Sequence, residues 1–206
     1  MFGDPVKNQN EWKKERLDKL CSQITDGEHV TPQRTDSGIK LLSARNIKNG
    51  FIDFSTGLDY ISEDTYTKIS KRCKPEFGDI LMSCSGSIGR VTKVRINERF
   101  HLVRSVALMK PIKNLLNSDY LEYFLRSGYG QHQVHKKANK SSQANIFTAP
   151  IKSIEIIVPN ISLQQQFAEL VQKTETLKEK QNQSEIELDN LFNSLMQKAF
   201  NSQLVH

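Results

Sequence analysis

The sequence has little cysteine, a single tryptophan and no long hydrophobic run. Its cysteines, Cys21, Cys73 and Cys84, are odd in number and form no CxxC pair, which argues against a disulfide framework or a zinc site. No apolar run approaches the roughly 18 residues of a membrane span, and the polar start lacks the pattern of a signal peptide. We therefore expect a cytoplasmic protein without a membrane partner, whose cysteines are reduced and structural.

Patterns that carry catalysis are missing as well. All six prolines are isolated, so the Pro-Pro tetrapeptide of adenine methyltransferases is absent, and so is a glycine-rich cofactor loop. The segment Met82–Gly89 fits neither GxSxG nor the P-loop pattern and predicts a tight turn between two strands. The Glu-x-Lys at Glu11–Lys13 lacks the acidic partner that a metal-dependent nuclease needs. We expect no catalytic residue, no cofactor and no metal site, so the chain is not expected to be an enzyme.

The histidines do not form a metal-ligand set, because their one close pair has no nearby carboxylate. We expect them at the surface or facing a nucleic acid. They are His29, His101, His132, His135 and His206.

Acidic residues are scarce where basic residues cluster. Residues 1–161 contain 25 basic and 17 acidic side chains, whereas residues 162–206 contain four and six. The stretch 86–113 has seven Lys or Arg against Glu98 alone, and the stretch 131–152 has four Lys and no acid. Such clusters favour a polyanion through counterion release, although a merely solvated basic surface is the alternative.

The first 160 residues alternate short apolar runs with turn residues, which predicts an α+β fold. The predicted strands are Ile39–Leu42, Leu58–Ile61, Ile80–Met82, Arg90–Val94, Val103–Met109 and Ile154–Val158. The predicted helices are Glu63–Ile69, capped by Ser62, and Ser118–Arg126, stopped by Gly128. The fold class is thus a small mixed globular domain followed by one long C-terminal coiled-coil helix.

Glycine and proline are absent from residue 160 onward, where a helix is predicted to start at a capping box of Ser162 and Gln165. An a/d heptad seam runs along it through Leu163, Phe167, Leu170, Leu177, Leu188, Leu191 and Leu195, with Thr174, Gln181 and Ser184 as polar members. A helix of roughly 39 residues spans about 58 Å, which is longer than the domain is wide. Much of the helix must therefore find a partner helix. Packing on its own domain is the alternative. We divide the chain into a linker-like start (1–11), a globular domain (12–160) whose basic clusters favour a polyanion, and a dimerisation helix (161–203).

Five segments in order resemble the specificity (S) subunits of type I restriction-modification enzymes. They are Thr25–Pro32 (TDGEHVTP), Leu42–Ile47 with Gly50 (LSARNI…G), Gly78–Ser83 with Gly86–Gly89 (GDILMS…GSIG), Ile154–Pro159 with Leu163–Gln166 (IEIIVP…LQQQ), and Leu191–Asn201. Each segment alone is weak evidence for the resemblance, but the five occur in the family's order and together cover nearly the whole chain.

The resemblance implies a subunit with two target recognition domains, each followed by a long helix, the two helices packing antiparallel. Each domain would read half of a bipartite site in double-stranded DNA, while modification (methyltransferase) subunits methylate adenine and restriction (motor and nuclease) subunits cut. The opening residues resemble the start of a second half, so the chain is either part of a longer subunit or a half-subunit that pairs as an antiparallel homodimer.

Two sets of DNA-contacting residues follow from the usual chemistry of recognition. The candidate base readers are Arg34, Arg45, Asn46, Arg90, Arg104, Gln143 and Asn145. The candidate phosphate contacts are Lys136, Lys137, Lys140, Ser141 and Ser142. A function of another class fits the same features: a coiled-coil protein-protein adaptor whose basic domain binds an acidic partner.

Overall fold

A computed structural model describes residues 1–138 and 145–200 and divides the chain into two units, residues 1–165 and residues from 166 onward. The strands are β1 Lys13–Arg16, β2 Cys21–Asp26, β3 Ile39–Leu42, β4 Asp59–Ile61, β5 Ile80–Ser83, β6 Val91–Lys93, β7 Phe100–Leu102, β8 Val106–Pro111 and β9 Glu155–Val158. The helices are α1 Leu17–Leu20, α2 Glu63–Ile69, α3 Ser118–Arg126, α4 Gly128–Lys137, α5 Thr148–Lys152 and α6 Ile161–Phe200.

The first unit contains three sheets. A four-stranded antiparallel sheet has the order β2-β8-β5-β6, and a three-stranded sheet has the order β4-β3-β7 with β3 parallel to β7. The short strands β1 and β9 pair antiparallel as a third sheet. Strands and helices alternate without a regular βαβ repeat, which confirms the expected α+β fold class.

The main core lies between the two larger sheets. Leu81 and Leu108 of the four-stranded sheet are fully buried in one cluster with Leu42, Phe100 and Leu102 of the three-stranded sheet. Strand β5 is buried along its whole length, because α3 also packs on β5 and β6. Full burial of each such side chain contributes about 1.5–3 kcal/mol relative to exposure, so this interface positions the strand ends.

Several predicted element boundaries agree with the structure and others are wrong. Strand β3 and helices α2 and α3 have the predicted bounds, and the Ser62 hydroxyl accepts a hydrogen bond from the Thr65 N–H at 3.2 Å. The predicted strand Val103–Met109 is wrong at its start, because residues 103–105 turn between β7 and β8, and the N–H of Val106 donates to the carbonyl of Val103.

At the end of α3 and at the start of α6, neighbouring residues serve as caps instead of the predicted ones. Helix α3 ends at Arg126, and the next residue, Ser127, caps α4 by accepting the Gly130 N–H at 3.1 Å with its hydroxyl, so Gly128 begins α4 rather than stopping a helix. Helix α6 begins at Ile161, and its cap is Asn160, whose side-chain oxygen accepts the Leu163 N–H at 2.8 Å. The proposed Ser162–Gln165 capping box is therefore wrong, because Ser162 already lies inside the helix.

The three cysteines are free and buried, as expected for reduced structural thiols. Burial raises the pKa of each thiol to about 12, which keeps it protonated and unreactive. The segment 1–11 touches the domain, since the ring of Phe2 packs edge-on against Tyr120 at 4.9 Å. Within the described ranges, no helix is long and apolar enough to cross a membrane.

Candidate nucleic-acid interface

The sheet topology gathers several loops at one end of the four-stranded sheet. Strands β2 and β5 end there, at Asp26 and Ser83, and strands β6 and β8 begin there, at Val91 and Val106. We call this the loop end. Side chains on segments that are far apart in sequence can meet here because antiparallel neighbours place alternate strand termini together.

The three-stranded sheet extends the loop end. Strands β3 and β7 run parallel and both end beside it, and the N–H of Val103 donates to the carbonyl of Leu42 at 2.9 Å. The hydroxyl of Ser105 accepts the N–H of Ala44 at 3.0 Å, which joins the turn 103–105 to the segment that follows β3. The loops of both sheets therefore belong to one surface.

Gly27, directly after β2, lies close against the end of β7. Its N–H donates to the carbonyl of Val106 at 3.0 Å, and an added Cβ would stand 2.3 Å from the carbonyl oxygen of Leu102. No side chain fits at that distance, so the glycine of the TDG segment is required by packing. The loop that follows β2 is thereby held against the turn 103–105.

The carboxylate of Asp26 fastens the same loop. It lies 3.0 Å from Nε2 of His29 and 3.5 Å from Nη1 of Arg72. Arg72 also donates to the hydroxyl of Thr25 at 3.2 Å and to the carbonyl of Gly27. The TDGEH segment therefore has a structural role, and the carboxylate of Asp26 is already paired with His29 and Arg72.

The serine-rich segment after β5 is a hairpin turn, as the sequence predicted. The Ser83 hydroxyl donates to the carbonyl of Ser87 at 2.5 Å and accepts the N–H of Arg90 at 3.0 Å, so it closes the turn. Gly86 and Gly89 adopt positive φ angles of 67° and 85°, a region that favours glycine. The turn fixes the backbone of Arg90 at the loop end.

Four arginines proposed as base readers lie at or beside the loop end. Arg34 and Arg45 share the carboxylate of Asp59, at 3.4 and 3.0 Å, and each keeps at least half of its side chain exposed. Within the part of the chain that the structure describes, Arg90 and Arg104 have no acidic partner within ion-pair distance. Two guanidinium groups paired with Asp59 and two without an acidic partner among the described residues therefore lie on one surface.

The prediction of Asn46 as a base reader is wrong. The side chain is fully buried, and its oxygen accepts the N–H of Ser43 at 2.9 Å. Its amide nitrogen donates to the carbonyls of Asp53 and Thr56 at 3.2 and 2.8 Å. Asn46 shapes the loop that carries Arg45 and has no polar group left for a ligand.

Helix α4 carries two of the proposed phosphate contacts. Lys136 is exposed, whereas Lys137 is half-buried and donates to the hydroxyl of Ser153 at 2.9 Å. The candidates Lys140, Ser141, Ser142 and Gln143 lie outside the described residues.

Most of the basic side chains in the stretch 86–113 have acidic partners in space, contrary to the expectation from their sequence neighbours. Lys93 pairs with Asp119, Arg95 with Glu122, Arg99 with Glu63, and Lys110 with Asp79 and Glu76. These carboxylates come from α2, from α3 and from the segment before β5. They lie outside the stretch 86–113, so a charge count over that stretch does not include them. Burial raises the pKa of Asp79 above its usual value even though Lys110 contacts it.

The paired cations lie away from the loop end. Lys93 ends β6 and Lys110 lies near the end of β8, so both belong to the opposite end of the four-stranded sheet. Arg99 precedes β7, whereas the loop end follows it. The carboxylate of Glu122 is fully buried, with its Oε2 2.6 Å from Nη2 of Arg95. Removing either partner would destabilise the fold, because an uncompensated buried charge is costly. These paired cations serve structure, whereas Arg90 and Arg104, which lack acidic partners among the described residues, lie at the loop end.

A cavity of about 280 Å³ lies at the loop end and brings Arg104 and Asn145 together. It is lined by Asp26, Cys84, Ser85, Arg104, Ser105, Asn145, Ile146, Phe147 and Thr148. Asn145 forms an antiparallel bridge with Ser85, and the Ile146 N–H donates to the carbonyl of Cys84 at 2.9 Å. The side-chain oxygen of Asn145 is buried, and no donor among the described residues reaches it. The sequence proposed both residues but gave no sign that they share a cavity.

The prediction of surface positions is wrong for His101, which is fully buried. Its ring lies edge-on to Tyr66 at 6.2 Å, and desolvation lowers its pKa below the usual 6.5. His29, His132 and His135 are exposed. Within residues 1–138 and 145–200, no cluster of three or more His, Cys, Asp or Glu is placed to hold a metal ion.

The second unit is the part of α6 from residue 166 onward. Of the predicted seam, Leu170, Leu177, Leu188, Leu191 and Leu195 are exposed, while Leu163 and Phe167 are half-buried. Four more exposed apolar residues in the last four turns lie outside the predicted seam: Ile186, Phe192, Met196 and Phe200. Exposed apolar area of this extent marks an interaction surface.

Comparisons with known proteins agree with one another. A family model described as "Type I restriction modification DNA specificity domain" matches residues 9–188. The specificity subunit of the type I restriction enzyme EcoBI from Escherichia coli is 25% identical over 171 residues, covering 81% of this chain and 36% of that protein.

Solved structures share the fold. One, from work on complex assembly and conformational transition of the type I R-M system, has a TM-score of 0.60 at 19% identity and covers 93% of this chain and 46% of that one. The HsdS subunit from Thermoanaerobacter tengcongensis has a TM-score of 0.54 at 18% identity, with coverages of 93% and 45%. The chain spans less than half the length of these relatives.

Proposed function

The chain belongs to the family of type I restriction-modification DNA specificity domains, and we propose that its first unit reads one half of a bipartite site in double-stranded DNA. In this role it is a recognition component and not an enzyme. Methylation and cleavage would be carried out by the modification and restriction subunits with which it assembles.

The contrast between paired cations such as Lys93 and Lys110 and the two unpaired arginines at the loop end carries the proposal. At the opposite end, Lys93 and Lys110 are neutralised by internal carboxylates. At the loop end, Arg90 and Arg104 lack such partners among the described residues. An unpaired guanidinium keeps its full capacity for phosphate oxygens or for the edge of guanine.

Asp59 gives Arg34 and Arg45 a different role. Because both guanidinium groups contact one carboxylate at 3.0–3.4 Å, their positions are restrained before any ligand arrives. Restrained side chains lose less conformational entropy on binding. We assign Arg34 and Arg45 to positioning on the phosphate backbone, and Arg90 and Arg104 to closer contacts in the groove.

Helix α6 would supply the spacing between half-sites. Its exposed leucines require an apolar partner, and a second copy of this chain presents the same stripe in a two-fold antiparallel arrangement. Two recognition units would then be joined by paired helices whose 40 residues span about 60 Å. The length of the paired helices would set the distance between the two half-sites.

The decisive experiment measures duplex DNA binding by the full chain. Wild-type protein is used to select sites from a random duplex library, and affinity for the selected site is measured as a function of salt. We expect Arg104→Ala and Arg90→Ala each to weaken specific binding about 10- to 100-fold, in line with the loss of one base contact. A residue that contacts only phosphate would instead reduce the salt slope by about one unit.

Arg99→Ala is the matched control, because it removes the same charge from a side chain paired with exposed Glu63 away from the loop end. Its affinity should stay within about threefold of wild type, because a charge away from the DNA acts only through long-range attraction that salt screens. No selection of any duplex sequence, together with binding to acidic proteins, would support the adaptor alternative and refute the proposal. Equal losses in Arg99→Ala and Arg104→Ala would show that net charge alone is responsible.

A further inference from the structure

We propose that the cavity at the loop end selects one G·C base pair, with Arg104 contacting the guanine and Asn145 accepting a hydrogen bond from the cytosine. The inference rests on the proposed function and adds to it the identity of a base pair and of the two side chains that select it. It is based on one cavity that contains the guanidinium of Arg104 and the buried amide oxygen of Asn145, neither of which has a partner of opposite hydrogen-bonding character among residues 1–138 and 145–200.

Arg104 is the donor. Its backbone is fixed, because its N–H donates to the carbonyl of Glu28 at 3.0 Å and the preceding Val103 donates to Leu42 at 2.9 Å. The side chain is exposed and, among the described residues, has no acidic partner. A guanidinium presents two parallel N–H groups, and guanine presents the adjacent acceptors N7 and O6 in the major groove.

Asn145 is the acceptor. The bridge to Ser85 and the hydrogen bond from Ile146 to Cys84 hold its backbone at the cavity wall. Its side-chain oxygen is buried and, within the described part of the chain, no donor reaches it. Buried acceptors without a partner are uncommon in folded proteins, and a donor brought by a ligand relieves the deficit. Cytosine supplies such a donor in its N4 amino group.

Asp26 argues for a base edge rather than a phosphate as the occupant. Its carboxylate lines the cavity, and its negative charge disfavours a phosphate placed there. The same carboxylate already contacts His29 at 3.0 Å and Arg72 at 3.5 Å, so it is committed to the loop anchor. Among the described residues that line the cavity, Asn145 supplies a buried acceptor without a hydrogen-bond partner.

An A·T pair fits this arrangement poorly. Adenine places its N6 amino group where guanine has O6, so a donor would face the guanidinium of Arg104. Thymine places its O4 acceptor where cytosine has its amino group, so two acceptors would oppose each other at Asn145. The cavity should therefore discriminate by about 10- to 100-fold in favour of G·C, the range expected for one well-formed base contact.

The test compares the sites selected from a random duplex library by the full-length wild type, Arg104→Ala, Asn145→Ala and Asn145→Asp. We expect one required G·C pair in the wild-type site, and each alanine variant should weaken the preference at that position by removing one of its two contacts, while the other positions of the site stay unchanged. Asn145→Asp keeps an acceptor oxygen and should keep the G·C preference. Thermal unfolding of each variant verifies folding, and Arg99→Ala should select the wild-type site.

The outcomes separate this inference from the proposed function. A wild-type site that both alanine variants leave unchanged would overturn the base-pair assignment and leave DNA recognition standing. Relaxation at an A·T pair, or loss of the preference in Asn145→Asp, would also overturn it. If the wild type selects no site at all, the proposed function fails and the inference fails with it.

Discussion

The side-chain oxygen of Gln164 accepts the backbone N–H of Asn117 at 2.8 Å, which ties the first turn of α6 to the start of α3. The amide nitrogen of the same fully buried side chain donates to the carbonyls of Pro159 and Leu115 at 2.8 and 3.2 Å. The LQQQ segment therefore contains one structural glutamine among exposed ones. All three partners are backbone groups, so they have no side chain that could be exchanged to compensate for a loss.

We predict that Gln164→Ala lowers the free energy of unfolding by about 2 kcal/mol, because it leaves buried backbone groups without partners. The matched control is Gln165→Ala, which changes an exposed neighbour on the same helix and should stay within about 0.5 kcal/mol of wild type. Chemical denaturation of the two variants measures the difference. Similar values for both would contradict the role assigned to Gln164.

Gly27→Ala should destabilise the first unit by about 1–3 kcal/mol, the usual cost of overpacking, because its Cβ would meet the Leu102 carbonyl oxygen at 2.3 Å. Gly128→Ala is the control, since it changes an exposed helical glycine whose Cβ would meet nothing within 4 Å. Alanine there should be neutral or slightly stabilising. Thermal unfolding distinguishes the variants, and an unaffected Gly27→Ala protein would show that β2 and β7 are not in close contact.

Stability should fall as the pH drops below about 6.5, owing to His101. Desolvation holds the pKa of the folded state below the usual 6.5, so the unfolded chain binds the proton first as the pH falls. The contribution of the neutral ring is complete above 6.5 and is lost as the pH falls toward the pKa of the folded state, at a slope of up to about 1.4 kcal/mol per pH unit.

Urea unfolding between pH 7 and pH 5 measures this slope. His101→Gln removes the titrating group and should flatten the profile even if its overall stability is lower. His132→Gln, at an exposed position, should leave the profile of the wild type unchanged. A wild-type slope that persists in His101→Gln would assign the pH dependence to another group.

Helix α6 should assemble the chain into a dimer. We expect light scattering of the wild type at micromolar concentration to give about twice the mass of one chain. Leu170→Asp combined with Leu188→Asp should give the mass of one chain, because each places a charge in the apolar interface. Gln172→Asp combined with Asn190→Asp is the control: each residue lies two positions further along, about 200° around the helix, and should leave the dimer intact.

The same dimer has a predicted orientation. An antiparallel pair places Leu163 of one copy near Leu195 of the other, so Leu195→Cys should not cross-link to itself. Disulfide formation between two such cysteines would indicate a parallel pair. A wild-type monomer at micromolar concentration would refute the assignment of α6 as a homodimerisation helix.

Local patterns predicted the elements whose signals lie within a few residues. Helix α2 begins after a serine that caps it, and β3 is a short apolar run between turn residues, so both were bounded correctly. Strands β1 and β2 were missed because their apolar alternation is weak, and they are stabilised instead by pairing with β9 and β8. Such pairings join segments that are more than 80 residues apart, and no local pattern encodes them.

The sequence alone determined the α+β fold class, the long C-terminal helix with its apolar stripe, and the family, since periodicity, capping and motif order are local properties of the chain. Only the tertiary structure decided which side chains are free to bind. It paired Lys93 and Lys110 with distant carboxylates, buried Asn46 and His101, and brought Arg104 and Asn145 to one cavity. The physical reason is that charge compensation and burial depend on distances through space, which strand pairing sets and residue spacing does not.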